Sequence, residues 1–118
     1  MTKVAYKLVD RAEWEAARAG GAYDGSAVDR ADGYIHMATA AELAESARRH
    51  YAGRQNLVLV EVDLPALGEG LRWEASRGGD LFPHLYGPLP LSAARSERRL
   101  ALAADGSPAF EGGASGWP

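Results

Sequence analysis

The segment Gly33-Tyr34-Ile35-His36-Met37-Ala38-Thr39 decides the fold, because it predicts a short strand that runs straight into a helix. Alternation puts Tyr34 and His36 on the same face of that strand. Thr39 and Glu42 have the spacing of a capping box, in which the hydroxyl accepts a hydrogen bond from the first helical turn. We expect the later segment Phe82–Pro88 (FPHLYGP) to lie beside it, so that the two form the walls of a cleft.

Size and composition favour one globular domain without covalent cross-links. The chain has 118 residues, of which 47% are hydrophobic, and no cysteine. This length suffices for one core, and the missing thiols exclude disulfides, thiolate metal sites and a cysteine nucleophile. The net charge of −3 argues against a general attraction to nucleic acid. No apolar run approaches the ~20 residues of a membrane span, so a cytoplasmic location is expected.

The order of predicted elements is strand, helix, strand, helix, strand and then several short strands. This order predicts an α+β fold with a mixed or antiparallel split sheet and two main helices. The apolar run Leu57–Val62 is typical of a central strand. The segment Phe82–Pro90 is predicted to lie at a sheet edge or in a shaped loop, because its prolines cannot donate to a strand pairing. Ala93–Leu100 is the last predicted strand. Residues 1–102 are expected to form the domain, followed by a tail over residues 103–118, which are rich in Gly, Ser and Pro.

The first strand and helix have clear local signals. Val4–Val9 alternates as a strand, and Asp10 is placed to cap the helix that follows. Val9 and Trp14 stand at the positions of a hydrophobic staple, and Gly20-Gly21 ends the helix. Lys7 has two interpretations: a solvated edge residue, which the usual exposure of lysine favours, or a residue at the rim of a pocket.

The segment 22–32 is predicted to be a loop. Loops carry binding residues more often than strands or helices do, and Tyr23 and Ser26 are its candidates for ligand contact. The alternative is a solvated connection with no part in binding.

Histidines are the main candidates for chemistry. His36, His50 and His84 form no HxH or HxxxH pair, so the sequence predicts no metal site. His36 and His84 stand beside aromatic residues, and a buried imidazole needs a partner for each ring nitrogen. Glu74 is the candidate carboxylate. A His–Glu pair is interpreted either as a structural contact or as a group that orients a substrate or transfers a proton. Thr39 likewise either caps its helix or receives an anion at the helix N-terminus.

The chain resembles the domain-of-unknown-function 952 (DUF952) family. The resemblance runs from about residue 3 to about residue 100. Its most specific parts are the Ile35-His36 pair followed by Thr39 and the Phe82–Pro88 segment. Weaker matches are Val4–Leu8, Trp14–Ala17, Gly21–Tyr23, Leu57–Asp63 and Leu71–Glu74.

The resemblance implies a fold similar to that of the ADP-ribosyltransferases, which bind NAD in a cleft between two small sheets. It implies that His36, Thr39, Glu74, His84 and Tyr86 line this cleft. The family commonly has a histidine where this chain has Lys7, and Ser and Gln where it has Ala38 and Glu42. Lysine lacks the donor and acceptor pair of imidazole, so the change at Lys7 weakens the expectation that NAD binds.

Three functional hypotheses follow. In the first, favoured one, the cleft is a binding module for a small anionic or nucleotide-like ligand, contacted by Lys7, Tyr23, Ser26, His36, Thr39, His84 and Tyr86. In the second, the chain is an enzyme related to ADP-ribosyl transfer that acts on NAD or a phosphorylated nucleotide. Glu74 would stabilise positive charge at the ribose carbon, and His36 and Tyr86 would position the ligand. In the third, the histidines and Glu74 form a structural network without a ligand.

Overall fold

The computed structural model describes residues 2–75 and 77–110. Three α-helices are formed there: α1 (Arg11–Gly20), α2 (Ala27–Asp32) and α3 (Ala40–His50). The strands are β1 (Val4–Asp10), β2 (Ala22–Tyr23), β3 (Ile35–His36), β4 (Leu57–Asp63), β5 (Leu71–Ala75), β6 (Leu81–Leu85), β7 (Leu89–Pro90), β8 (Ala94–Leu102) and β9 (Pro108–Phe110). Short 3₁₀ segments cover Leu64–Gly70, Arg77–Gly79 and Leu91–Ala93.

The main sheet has the strand order β1-β4-β8-β9, and all its pairings are antiparallel. The apolar run that predicted a central strand forms β4, between β1 and β8. Its residues Leu57, Val58, Leu59 and Val60 are buried because the sheet is covered on both faces at this point. Side chains on the two faces of β4 belong to two separate core clusters. The predicted α+β class with antiparallel sheets is confirmed.

A second sheet of order β3-β6-β5 forms one side of the cleft, and β2 pairs with β7 beside it. Strand β3 runs antiparallel to β6, so that His36 lies opposite His84. The prediction that Phe82–Pro90 is an edge or a shaped loop is wrong for its first part, because β6 is the middle strand. Pro83 is tolerated there because the N–H that it lacks would face Met37, just past the end of β3. The Pro83 carbonyl still accepts from the Met37 amide at 3.1 Å.

Helix α1 begins and ends as the sequence predicts. The Asp10 carboxylate accepts from the Glu13 amide at 3.0 Å, and Gly21 ends the helix in the left-handed conformation with φ of 83°. Val9 and Trp14, the two staple residues, are both buried in one core cluster. This junction holds α1 against the main sheet.

The predicted loop over residues 22–32 is replaced by strand β2 and helix α2. Ser26 and Asp29 form a capping box, in which the Asp29 amide donates to the Ser26 hydroxyl and the Ser26 amide donates to the Asp29 carboxylate. Gly25, at φ of 99°, lets the chain turn tightly before this box. A Cβ atom at Gly25 would lie 2.8 Å from that of Asp29. The capping signal was present in the sequence, but it uses Asp at the position where Glu or Gln is usual.

Helix α3 starts where predicted, yet the Thr39 side chain makes no capping hydrogen bond. The predicted Thr39–Glu42 capping box is therefore wrong, although Thr39 occupies the N-cap position. The predicted apolar stripe of α3 is confirmed: Leu43 and Ala47 are buried, and Tyr51 packs against the same core cluster. The stripe packs against residues of β1 and β4. Leu43 and Tyr51 also line the cleft, together with β1.

The last strands differ from the predicted domain and tail. Strand β8 covers Ala94–Leu102, and β9 (Pro108–Phe110) pairs with its last three residues. Phe110 is buried in the second core cluster. Residues 108–110 therefore belong to the main sheet, although the composition from residue 103 onward predicted a tail. Residues 111–118, the rest of that tail, lie outside the described residues.

Candidate functional site

A cleft of about 540 Å³ opens between β1, α2, α3 and the sheet that contains β6. Sites for small molecules usually have volumes of about 300–1,000 Å³. Five of the predicted ligand-binding residues line it: Lys7, Tyr23, Ser26, His36 and His84. Thr39, Glu74 and Tyr86 are not among the described residues that line this cleft.

Lys7 is buried, with 3% of its surface exposed. The favoured interpretation, a solvated edge residue, is therefore wrong. Its ammonium lies 2.9 Å from Oδ2 and 3.2 Å from Oδ1 of Asp29, which is itself buried. An ammonium removed from water needs such a counter-charge. The positive charge of Lys7 is thus neutralised by Asp29 within the cleft wall.

Asp29 joins three parts of the chain at one carboxylate. Besides Lys7, it accepts hydrogen bonds from the Ser26 amide at 2.9 Å, the His36 amide at 3.1 Å and His36 Nδ1 at 2.5 Å. Burial alone raises the pKa of Asp29. The hydrogen bond from His36, the charge of Lys7 and the Ser26 amide outweigh burial and hold this pKa well below its usual value of 3.8. Asp29 fixes β1, α2 and β3 relative to one another.

His36 presents a fixed imidazole to the cleft. Its Nδ1 faces Asp29 at 2.5 Å, and its Nε2 faces Asp32 at 2.9 Å. Both partners are carboxylates, which only accept hydrogen bonds when ionised, so both contacts are satisfied when the ring is doubly protonated. About a third of the His36 side chain is exposed. It is the part of the Lys7–Asp29–His36 network that a ligand can reach.

Tyr34 connects the two histidines through ring contacts. Its ring stacks on His84 at a centroid distance of 4.1 Å and is tilted against His36 at 4.6 Å. Tyr86 packs against the other side of the group, 5.2 Å from Tyr34. The rings hold His36 and His84 in one orientation, with their centroids 5.5 Å apart.

Glu74 is the partner of His84, as the sequence predicts for one of the two histidines. Glu74 Oε1 lies 2.7 Å from His84 Nδ1 and accepts from the Tyr86 hydroxyl at 2.9 Å. The hydrogen bond from His84, followed by that from Tyr86, lowers the pKa of Glu74, and the same carboxylate raises the pKa of Tyr86. His36 uses Asp29 and Asp32 instead. Sequence reasoning missed both of these carboxylates because it treated their segment as a loop.

Tyr23 and Ser26 lie on the cleft wall in structural contacts. The Tyr23 ring packs edge-on against Trp14 at 5.8 Å and is almost fully buried. Burial, followed by the negative charge of Asp29, raises the pKa of Tyr23. Ser26 caps α2. Their place in the cleft agrees with the prediction, and their contact with a ligand stays a prediction.

The opposite side of the cleft combines aromatic and basic groups. Tyr6 and Phe82 contribute aromatic rings, while His50 and Arg54 are exposed at the C-terminal end of α3. The Arg54 guanidinium lies 5.3 Å from the centre of the Tyr51 ring. The cleft therefore offers apolar ring surface together with the Arg54 guanidinium at its margin.

Comparison with known proteins identifies the family. The family model described as "Protein of unknown function (DUF952)" matches residues 8–96. The chain belongs to the DUF952 family. The resemblance based on the His36 and Phe82–Pro88 segments is thereby confirmed. None of the curated proteins compared with this DUF952 chain matches it.

Solved structures similar to this DUF952 chain come from Caulobacter crescentus. The crystal structure of protein CC0527 is 51% identical, with a TM-score of 0.87 over 90% of this chain and 93% of that one. The solution NMR structure of CC0527 is 50% identical, with a TM-score of 0.80 over 91% of this chain and 92% of that one. These likenesses support the α+β fold with antiparallel sheets.

Residues 2–75 and 77–110 contain neither a membrane-spanning helix nor a cluster of metal ligands. No helix in this part of the chain has the length and apolar character needed to cross a membrane. The same residues contain no group of three or more His, Cys, Asp or Glu side chains arranged to hold a metal ion.

Acid is expected to weaken the fold through Asp29. Its pKa is depressed in the folded state, so the unfolded chain binds the proton more readily. The stabilisation is complete well above the unfolded pKa of 3.8, from about pH 5 upward, and is lost as pH falls from there toward the folded pKa. Urea unfolding between about pH 6 and pH 3 should show a steeper loss in the wild type than in Asp29→Asn. Equal slopes in the two proteins would contradict this role.

Proposed function

We propose that the cleft binds a small nucleotide-like ligand that carries an anionic group, and that the chain acts as a binding domain. The observation that carries the proposal is His36, a partly exposed imidazole in the cleft wall whose two nitrogens are fixed by Asp29 and Asp32. Asp29 holds the ring through Nδ1, while Nε2 faces Asp32, whose side chain is 47% exposed. A ligand anion that displaces Asp32 accepts from Nε2, and the imidazole loses little conformational freedom because Asp29 keeps it in place.

The composition of the cleft supports the ligand class. Aromatic side chains such as Tyr6 and Phe82 suit a planar ring, and the guanidinium of Arg54 suits a phosphate or carboxylate. Lys7 contributes through Asp29 rather than by direct ion pairing, since its charge is already matched. The predicted anion contact at Thr39 has less support, because Thr39 does not line this cleft.

The alternative is an enzyme related to ADP-ribosyl transfer that acts on NAD or a phosphorylated nucleotide. It rests only on the fold that the family resemblance implies. It requires Glu74 to face the ribose carbon. The Glu74 carboxylate instead contacts His84 and Tyr86, and Glu74 is not among the described residues that line the cleft. This position favours a role for Glu74 in holding His84 and makes binding the better supported function.

The test is calorimetric titration with NAD, ADP-ribose, AMP and inorganic phosphate, together with an assay of nicotinamide release. We expect saturable binding of at least one nucleotide without nicotinamide release. His36→Gln should weaken that binding by about 10-fold to 100-fold, because a hydrogen bond to a charged group contributes about 1.5–3 kcal/mol. Arg99→Gln, on the exposed part of β8, is the matched control and should bind as the wild type does.

Two outcomes would overturn the proposal. Absence of binding of every probe at about 1 mM, where an affinity of about −4 kcal/mol is still detected, removes the binding function. Release of nicotinamide that disappears in Glu74→Gln replaces binding by the transferase alternative.

A further inference from the structure

Strand β5 forms the outer edge of the three-stranded sheet within the described residues. Its sequence is Leu71-Arg72-Trp73-Glu74-Ala75. Trp73 is 39% exposed, and the neighbouring Leu81 on β6 is 57% exposed. An unpaired edge strand with exposed apolar side chains is a template for pairing with another strand. We propose that this edge pairs with the β5 edge of a second copy of the chain, forming a two-fold symmetric dimer.

The direction of the backbone groups fixes the register. Trp73 pairs with Pro83, whose carbonyl accepts from Met37 on the opposite side of β6. Since the polar groups of one residue in an antiparallel strand point to the same side, Trp73 and Pro83 are not hydrogen-bonded to each other. The N–H and C=O of Trp73 therefore point outward, and the two-fold axis passes between the two copies of Trp73.

This register is self-complementary in charge. With Trp73 opposite its own copy, Arg72 of each chain lies opposite Glu74 of the other. These are non-hydrogen-bonded positions, where the Cα atoms of an antiparallel pair approach to about 4.5 Å and side chains are closest. Both side chains are at least partly exposed, and the Glu74 carboxylate has lone pairs left beside those that contact His84 and Tyr86. Two ion pairs thus form around one axis.

The exposed apolar side chains of β5 and β6 are also compatible with this register. Trp73 and Leu81 lie on one face of the sheet, close to Leu64, Pro65 and Leu71. The two copies of Trp73 become direct neighbours across the axis, which covers part of this exposed surface. The edge is only five residues long, so the dimer is expected to be weak and dependent on concentration.

The test uses charge reversal and light scattering after size exclusion. The wild type should approach twice the chain mass of 12.6 kDa as concentration rises to about 1 mM. Arg72→Glu alone and Glu74→Arg alone should each lower the association constant by at least about tenfold, because both cross-strand pairs become repulsive. An equimolar mixture of the two variants should dimerise again, since each contact then joins opposite charges. Arg99→Glu is the control for charge and should dimerise as the wild type does.

A disulfide trap tests the register without the charge variants. The chain has no cysteine, so Trp73→Cys can form only an intermolecular disulfide. Hydrogen-bonded antiparallel partners have Cα atoms about 5.5 Å apart, inside the range a disulfide spans. Oxidation should yield a linked dimer for Trp73→Cys and not for Arg99→Cys. A monomer at every concentration, a dimer unaffected by Arg72→Glu, or equal cross-linking of the two cysteine variants would each overturn the proposal.

Discussion

Replacing Asp29 with alanine is expected to lower the free energy of unfolding by about 3–5 kcal/mol. The change leaves the Lys7 ammonium buried without its counter-charge and removes the acceptor of the Ser26 amide and of His36. Domains of this size have total stabilities of about 5–15 kcal/mol, so the variant is expected to unfold at much lower urea concentration. Urea denaturation followed by circular dichroism measures the difference.

Two further variants separate the buried pair from its surroundings. Asp32→Ala removes the exposed partner of His36 and should cost less than about 1 kcal/mol, as exposed ion pairs do. The double variant Lys7→Met with Asp29→Leu removes both charges at once and should be more stable than Asp29→Ala. If Asp29→Ala and Asp32→Ala cost the same, Asp29 does not hold the three elements together.

Replacing Trp14 with alanine is expected to cost about 3–5 kcal/mol. Trp14 is fully buried, it packs against Tyr23, and its indole nitrogen donates to Glu97 at 2.9 Å. The truncation leaves a cavity between α1 and the main sheet and removes one of the contacts of Glu97, which also pairs with Arg18. Unfolding should be followed by far-ultraviolet circular dichroism, because the substitution also removes a fluorophore.

Trp14→Phe serves as the matched control. It keeps an aromatic ring against Tyr23 and loses only the hydrogen bond to Glu97 and part of the buried area. Its cost should therefore be clearly smaller than that of Trp14→Ala. A Trp14→Ala variant as stable as Trp14→Phe would mean that the indole does not fill the junction between α1 and the sheet.

Local signals in the sequence predicted much of the fold. Asp10, Trp14 and Gly21 define α1 because caps, staples and left-handed glycines act within a few residues. The apolar run over β4 identified the central strand for a similar reason. The His36 segment was expected to lie beside that of His84 as a second wall of a cleft. The structure instead pairs β3 directly with β6, and this register brings the two histidines together.

The candidate site was less predictable because its central contacts join distant residues. Lys7 and Asp29 are 22 positions apart, and nothing near Lys7 in the sequence indicates that it is buried. Asp29 was missed because its segment is short and glycine-flanked, which resembles a loop. Thr39 had the pattern of a cap that its side chain does not make. In each case tertiary packing decided between conformations that the local sequence permits.

The central claim, that the cleft beside His36 binds a nucleotide-like ligand, is tested most directly by NMR titration of labelled protein with ADP-ribose and AMP. We predict saturable shifts of the signals from Lys7, His36 and His84, with the signals of β8 residues such as Arg99 unchanged. Loss of these shifts in His36→Gln, in a protein that remains folded, completes the expected result. Shifts confined to residues outside the cleft, or no shifts at about 1 mM ligand, would contradict the claim.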